Sequence, residues 1–402
     1  MRDTPGTVHN RRVTNRAVSD PVAEAVRLTP TISARSSEIE ERGSLPSDLV
    51  ELIRPTGAFR QWVPAELDGP ATPAWESLRV IEQYGYADGA VGWCVAIATT
   101  SSLMAAFLPA EWGKVIYADP DSITGGFAMP KGRARPLPDG GLEVTGRWQW
   151  GSGTSHCTWI GGGCLVVDDD GKPTARPADG LRVPFVFFDR DDVEIIPTWD
   201  VSGLSGTGSN DYAVDRAHVP EGRWVQIGNT VATFPSPLTD FSFYGLLALA
   251  VAATTVGIAR RSIDELVALA QDKRPQGSSR SLRERSVVQQ DVASAEAKLQ
   301  AAWALMESTV EASWRRAEAG GEASGDERRR LRMAATHATQ TAAAVAEMMY
   351  KAGGGAAVYR SSPLQRCLRD ALVATQHAMV APRTMEVAGR HRLGLETDLS
   401  LF

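Results

Sequence analysis

The 402-residue chain carries 42 Lys and Arg against 48 Asp and Glu, a net charge of −6. The charges are spread along the chain, without the basic stripe that nucleic-acid binding needs. Cys94, Cys157, Cys164 and Cys367 stand far apart with no CxxC pair. They imply neither a disulfide framework nor a metal site, and a reducing cytoplasm fits them.

Residues 1–20 are charged and lack an apolar core, so they do not read as a secretory signal. A partly disordered arm, lying on a neighbouring subunit, is expected there. From 21 to 118 apolar residues recur three and four apart, and the spacing predicts helices over 32–41, 47–54, 75–86 and 90–107. Pro46, Pro55, Pro64 and Pro73 mark the joins. Residues 119–235 change character. Short β-branched and aromatic runs at 142–150, 158–167, 183–188 and 193–196, separated by DG, DDDG and DRDD turns, predict a small β-domain. Helices return over 236–402, predicted at 241–272, 282–317, 326–352 and 364–388, with connectors at 273–281 and 319–326. Residues 241–259 carry no charge and approach the length of a membrane span. They are rich in Ala, Gly and Thr and run into Arg260-Arg261, so a central helix buried on all sides explains them better. No membrane association is expected.

Three segments hold candidate chemistry. Residues 353–379 read GGGAAVYRSSPLQRCLRDALVATQHAM, a glycine cluster followed by a helical pattern. Asp370 and His377 are seven positions apart, about two turns, and would share a helix face. An imidazole on a rigid helix suits acid–base work, although a lone histidine in a bundle also serves simply as a hydrogen-bonded core residue. No carboxylate occurs from 371 to 385. Residues 146–157, GRWQWGSGTSHC, place Gly151 and Gly153 around Ser152, which would let the backbone approach a flat ring; a glycine- and serine-rich hairpin with a packed tryptophan is the plainer alternative. Residues 199–211, WDVSGLSGTGSND, have no Lys for a P-loop and no surrounding dinucleotide-type unit.

GGG…SPLQRCLRDA resembles the last helices of the acyl-CoA dehydrogenase fold, and the order of helices, β-domain and helices agrees over about 21–395. The resemblance implies a mainly α protein with a central β-domain: an N-terminal helical domain (21–118), a β-barrel or sandwich (119–235) and a C-terminal four-helix bundle (236–402). The commonest acyl-CoA dehydrogenases place a glutamate base about nine residues after the arginine. Counting from Arg369 reaches Ala378, beside His377. In this the chain is similar to the flavin-dependent monooxygenases of the same fold, the p-hydroxyphenylacetate hydroxylase oxygenase and dibenzothiophene monooxygenase group, which carry a histidine here.

That likeness implies the oxygenase component of a two-component system. Reduced flavin (FMNH2 or FADH2) from a separate flavin reductase would react with O2 through a C4a-hydroperoxide and oxidise a small-molecule substrate. His377 and Ser152 would be catalytic. Trp150, Gly151, Ser152, Gly153, Arg274, Gly353 and Gly354 would hold the flavin, and Trp93, His156 and Thr207 would meet substrate. A homotetramer sharing flavin sites is implied. The alternatives are a flavin dehydrogenase or oxidase acting on a thioester, with a base such as Glu347, and a non-redox binding protein on the same scaffold.

Overall fold

Asp20 accepts hydrogen bonds from the Val22 and Ala23 amides and starts the first helix, α1 (Pro21–Ala34), with proline at its first position. The computed structural model describes residues 20–176, 180–228, 230–399 and 401–402, so the arm expected at the N-terminus lies, apart from Asp20, outside the described residues. Helices α2 (Ser36–Arg42), α3 (Ser47–Ile53), α4 (Ala74–Ala87), α5 (Gly89–Ser102) and α6 (Ala110–Tyr117) follow. After the strands come α7 (Phe243–Asp272), α8 (Ser286–Glu318), α9 (Gly325–Gly353), α10 (Pro363–Ala374) and α11 (Arg383–Arg392).

Helix α7 is the central post, packed on α4, α5, α9 and α10. Every residue from 248 to 259 is buried, which explains the long uncharged run. Its fit against the first domain depends on missing side chains. A Cβ on Gly257 would lie 2.1 Å from the Glu82 carbonyl oxygen, and one on Gly85 would lie 2.6 Å from that of Thr254. One on Gly92 of α5 would lie 2.5 Å from Gly85 Cα. The three helices therefore meet backbone to backbone, and this sets the depth of α5. Arg260 fastens the contact, with Nε 2.6 Å from Glu82 Oε1 and Nη2 3.0 Å from Oε2.

Between the helical parts, β1 (Thr124–Pro136), β2 (Leu142–Gly151), β3 (Trp159–Val166), β4 (Phe185–Asp189), β5 (Glu194–Ile196), β6 (Asn210–Val219) and β7 (Trp224–Val225) form one seven-stranded sheet. Its order is β5-β6-β2-β1-β3-β4-β7, with β1 and β3 parallel and the other described pairs antiparallel. Strand β1 carries three glycines and two prolines, and its pairing with β3 slips between Phe127 and Gly132. Trp148 anchors the sheet. Its indole occupies space that a Cβ on Gly132, Gly146 or Gly162 would invade, stacks on Tyr212 at 5.3 Å, and donates to the Gly163 carbonyl at 2.8 Å.

The helix expected over 364–388 is in fact two. Thr375 turns its hydroxyl back onto the Leu372 carbonyl at 2.6 Å. Pro382 disfavours helical backbone at Ala381 and caps α11. His377 therefore stands in the turn between α10 and α11, not on a helix face shared with Asp370.

Gly257→Ala should lower stability by about 1–3 kcal/mol, the usual cost of overpacking a tight core. Urea unfolding measures it, and an unchanged midpoint would show that α4 and α7 are not in backbone contact.

Candidate active site

Four segments converge beside α5: the hairpin at 151–157, the glycine-rich loop at 199–209, the turn after α10, and α5 itself. Trp93 of α5 joins them. Its Nε1 donates to Ser152 Oγ at 3.0 Å, and its ring meets that of His377 edge-on, 5.6 Å between centroids. Ser152 Oγ lies 2.7 Å from Ser209 Oγ, which lies 2.7 Å from Thr207 Oγ1. Thr207 in turn donates to the Leu204 carbonyl at 2.8 Å. Trp93, Ser152, Thr207 and Ser209 are all buried. His377, Trp93, Ser152 and Thr207, distant in sequence, thus form one cluster. Ser209 belongs to it and was not singled out; its one sequence signal is a hydroxyl two positions beyond Thr207.

The loop that brings Thr207 and Ser209 is clamped by α10. Leu204 is left-handed at φ 53°, a costly state for a branched residue. Its amide donates to Asp370 Oδ1 at 2.6 Å, and its carbonyl also accepts from Trp199 Nε1 at 3.1 Å. Arg369 donates to the Ser202 carbonyl and pairs at 2.5 Å with Glu40, which Arg366 also holds at 2.9 Å. The Arg369-Asp370 pair is thus a clamp joining loop, α2 and α10. Burial, with the nearby Asp88 carboxylate adding repulsion, pushes Asp370 up to about 7.

In the turn, Arg332 of α9 donates to the Met379 carbonyl at 3.1 Å and holds the segment. The Met379 amide donates to His377 Nδ1 at 3.3 Å. Burial, aided by the Arg332 charge, lowers the His377 pKa to about 4, so the ring is neutral at pH 7. With Nδ1 accepting, the ring proton sits on Nε2. His377 therefore offers a hydrogen-bond donor from Nε2.

His156 is half-buried against Phe59, centroids 5.6 Å apart, and burial lowers its pKa to about 4. Its buried Nδ1 has no partner among the described residues. Trp150 is 55% exposed and left-handed at φ 59°, and its ring meets Phe127 edge-on with centroids 5.5 Å apart. Strand alternation alone would bury it beside Trp148. The register shift before Gly151 and the positive φ break that alternation. Such strain costs about 1–2 kcal/mol and clusters at functional sites.

Residues 249–382 match the family described as "Acyl-CoA dehydrogenase, C-terminal domain". The chain is 30% identical to an indole-3-acetate monooxygenase from Pseudomonas putida, covering 92% of this chain and 93% of that one. It is 28% identical to the oxygenase subunit HsaA of a flavin-dependent monooxygenase from Rhodococcus jostii, covering 92% and 97%. The chain belongs to the flavin-dependent monooxygenases of the acyl-CoA dehydrogenase fold. A crystal structure of 3-HSA hydroxylase from Rhodococcus sp. RHA1 superposes with a TM-score of 0.84 at 25% identity, covering 95% of this chain and 99% of that one.

Not all of this monooxygenase's expected site residues meet at Ser152. A Cβ on Gly353 would lie 2.7 Å from Leu364 Cδ1 and 3.6 Å from Leu269 Cδ2, so the glycine cluster sits where α7 ends and α10 begins. Gly354 is exposed, with φ 56° and open space beside it. Arg274, just past α7, is exposed and makes no hydrogen bond or ion pair among the described residues. The twelve residues of α10 span about 18 Å, and they separate this patch from His377. Glu347 pairs on the surface with Lys351 at 2.6 Å, away from the cluster.

Asp370 titrates near 7 in the folded chain and near the ordinary 3.8 when unfolded. The native state therefore holds its proton longer, and stability drains away as pH rises from about 4 to about 7. Asp370→Asn keeps an oxygen for the Leu204 amide but does not ionise. Its stability relative to wild type should climb over that range by at most about 1.4 kcal/mol per pH unit. A difference that does not vary with pH, in urea titrations across the range, would place the carboxylate in water.

Proposed function

We propose that this chain is the oxygenase component of a two-component flavin-dependent monooxygenase, acting on a small aromatic compound with reduced flavin and O2. The observation that carries the reading is the cluster itself. A buried indole and serine hydroxyl stand beside a neutral histidine that offers a hydrogen bond, and no carboxylate occurs in the turn where a dehydrogenase would place its base.

The residues fit a flavin ring. Trp150 holds an unpacked aromatic face in a strained conformation. Gly153 adopts φ 73° against His156, and Gly151 leaves room for Tyr212 and Thr154, so both glycines keep the hairpin tight behind Trp150 and Ser152. Ser152 would meet the polar edge of the ring. When bound, reduced flavin supplies the electrons that activate O2. The protein's part is positional. His377 donates from Nε2 to an oxygen atom and, being uncharged, releases no proton readily. Trp93 and the apolar face of α5 keep water out. His156 and Phe59 present aromatic edges where a ring substrate would lie, in keeping with the relative named for indole-3-acetate.

Arg274, Gly353 and Gly354 are read as a second half-site. Set at the opposite end of α10 from His377, they would grip the phosphate end of a flavin held by a neighbouring copy, which favours a homotetramer. Four free, buried thiols suit the cytoplasm. The separate reductase follows from the oxygenase subunits among the relatives.

Indole-3-acetate, supplied with O2 and with FMN or FAD kept reduced by an independent reductase, is the first assay; a product bearing one added oxygen atom supports the reading. Reduction of bound oxidised flavin by an acyl thioester would overturn it. His377→Ala should lower product yield about 100-fold while flavin affinity stays within about twofold, and undiminished yield removes the histidine from the chemistry. Arg274→Glu should weaken flavin binding about tenfold or more by replacing a phosphate partner with a like charge. An unaltered dissociation constant would refute the half-site.

A further inference from the structure

The three hydroxyls of the cluster can be assigned their protons by counting. Three short oxygen–oxygen contacts run in series: Ser152 to Ser209 at 2.7 Å, Ser209 to Thr207 at 2.7 Å, and Thr207 to the Leu204 carbonyl at 2.8 Å. Each needs one proton between its oxygens, since two lone pairs at that separation repel. Three hydroxyls supply three protons. The last contact ends on a carbonyl, which only accepts, so Thr207 must donate there. Ser209 must then donate to Thr207, and Ser152 to Ser209. From the other side Trp93 Nε1, which only donates, points at Ser152 Oγ at 3.0 Å. Every proton therefore runs toward the Leu204 carbonyl, and the Ser152 oxygen keeps one lone pair that no protein donor uses.

The end of this chain is fixed as firmly as its members. The Leu204 carbonyl is aimed by a left-handed backbone whose amide is bonded to Asp370 Oδ1 at 2.6 Å. A rotation of any one hydroxyl would leave a buried oxygen pair without a proton, which is costly in a dry interior.

We infer that Ser209 and Thr207 are positioning residues that hold the Ser152 hydroxyl as an acceptor only, so that the site selects the N–H-bearing, reduced form of the flavin over the oxidised form. The inference rests on the flavin reading above. The central-ring nitrogen N5 carries hydrogen when the flavin is reduced and a bare lone pair when it is oxidised. A serine that can only accept binds the first and faces the second lone pair to lone pair. Discrimination between redox states thus comes from two hydroxyls whose protons are used within the protein.

The experiment is anaerobic titration of the full-length protein with oxidised and with reduced FMN and FAD, followed by flavin absorbance. Ser209→Ala frees the Ser152 proton to point toward the flavin. The ratio of oxidised to reduced dissociation constants should fall about five- to tenfold, the worth of one hydrogen bond, chiefly because the oxidised form binds more tightly. Thr207→Val should act in the same direction, because Ser209 can then turn its proton toward Ser152; it also carries the test if Ser209→Ala does not fold. Ser152→Ala should lose the discrimination by weakening the reduced form alone. Equal weakening of both redox forms in Ser209→Ala and Thr207→Val would overturn the inference and leave flavin use intact. Failure of the wild-type chain to bind FMN or FAD in either state would overturn the flavin reading, and this inference with it.

Discussion

The hydrogen bond from the Leu204 amide to the Asp370 carboxylate joins the helical bundle to the β-domain where the glycine-rich loop meets α10. It holds a leucine in a backbone state that leucine avoids, and the Leu204 carbonyl is aimed as a result. From that carbonyl the order propagates through Thr207, Ser209 and Ser152 to the indole of Trp93. Burying a carboxylate beside Asp88 is unfavourable in itself. It is tolerated because the acceptor is needed there and because Arg369 and Arg366 bind the neighbouring Glu40 and secure the same face.

The other half of the site depends on what is missing from the chain. Gly85, Gly92 and Gly257 let α4, α5 and α7 touch without side chains between them. Any added carbon would push α5 outward and carry Trp93 away from Ser152. The same device recurs in the sheet, where three glycines from three strands admit Trp148. Helix spacing and sheet packing are both set by backbone contact, which yields far less than side-chain contact does.

Much of this is legible in the sequence. The order of helices, strands and helices follows from apolar periodicity, and the uncharged run of α7 was readable as a buried post because it is rich in small residues. The pairing of His377 with Ser152 was legible only through resemblance, since nothing in their spacing brings them together. Other features were hidden for physical reasons. Strand β1 is masked by its three glycines and two prolines, whose strand propensity is poor. The break after Ala374 depends on one threonine rotamer and a proline eight residues on, so the helical pattern seemed to continue through His377. Ser209 and the clamp made by Asp370 are tertiary facts: a serine in a glycine-rich loop acquires meaning only when Ser152 faces it.

Helix α10 bears on both the hydroxyl loop and the imidazole. Asp370 grips the loop with the hydroxyls, and the turn at the helix end carries His377. A helix of this length moves as a rigid lever, so thermal sway of the bundle displaces loop and imidazole together. Because Arg332 of α9 also grips the turn, the imidazole is tied to α9 as well as α10, so a shift of α10 against α9 would change its distance from the loop.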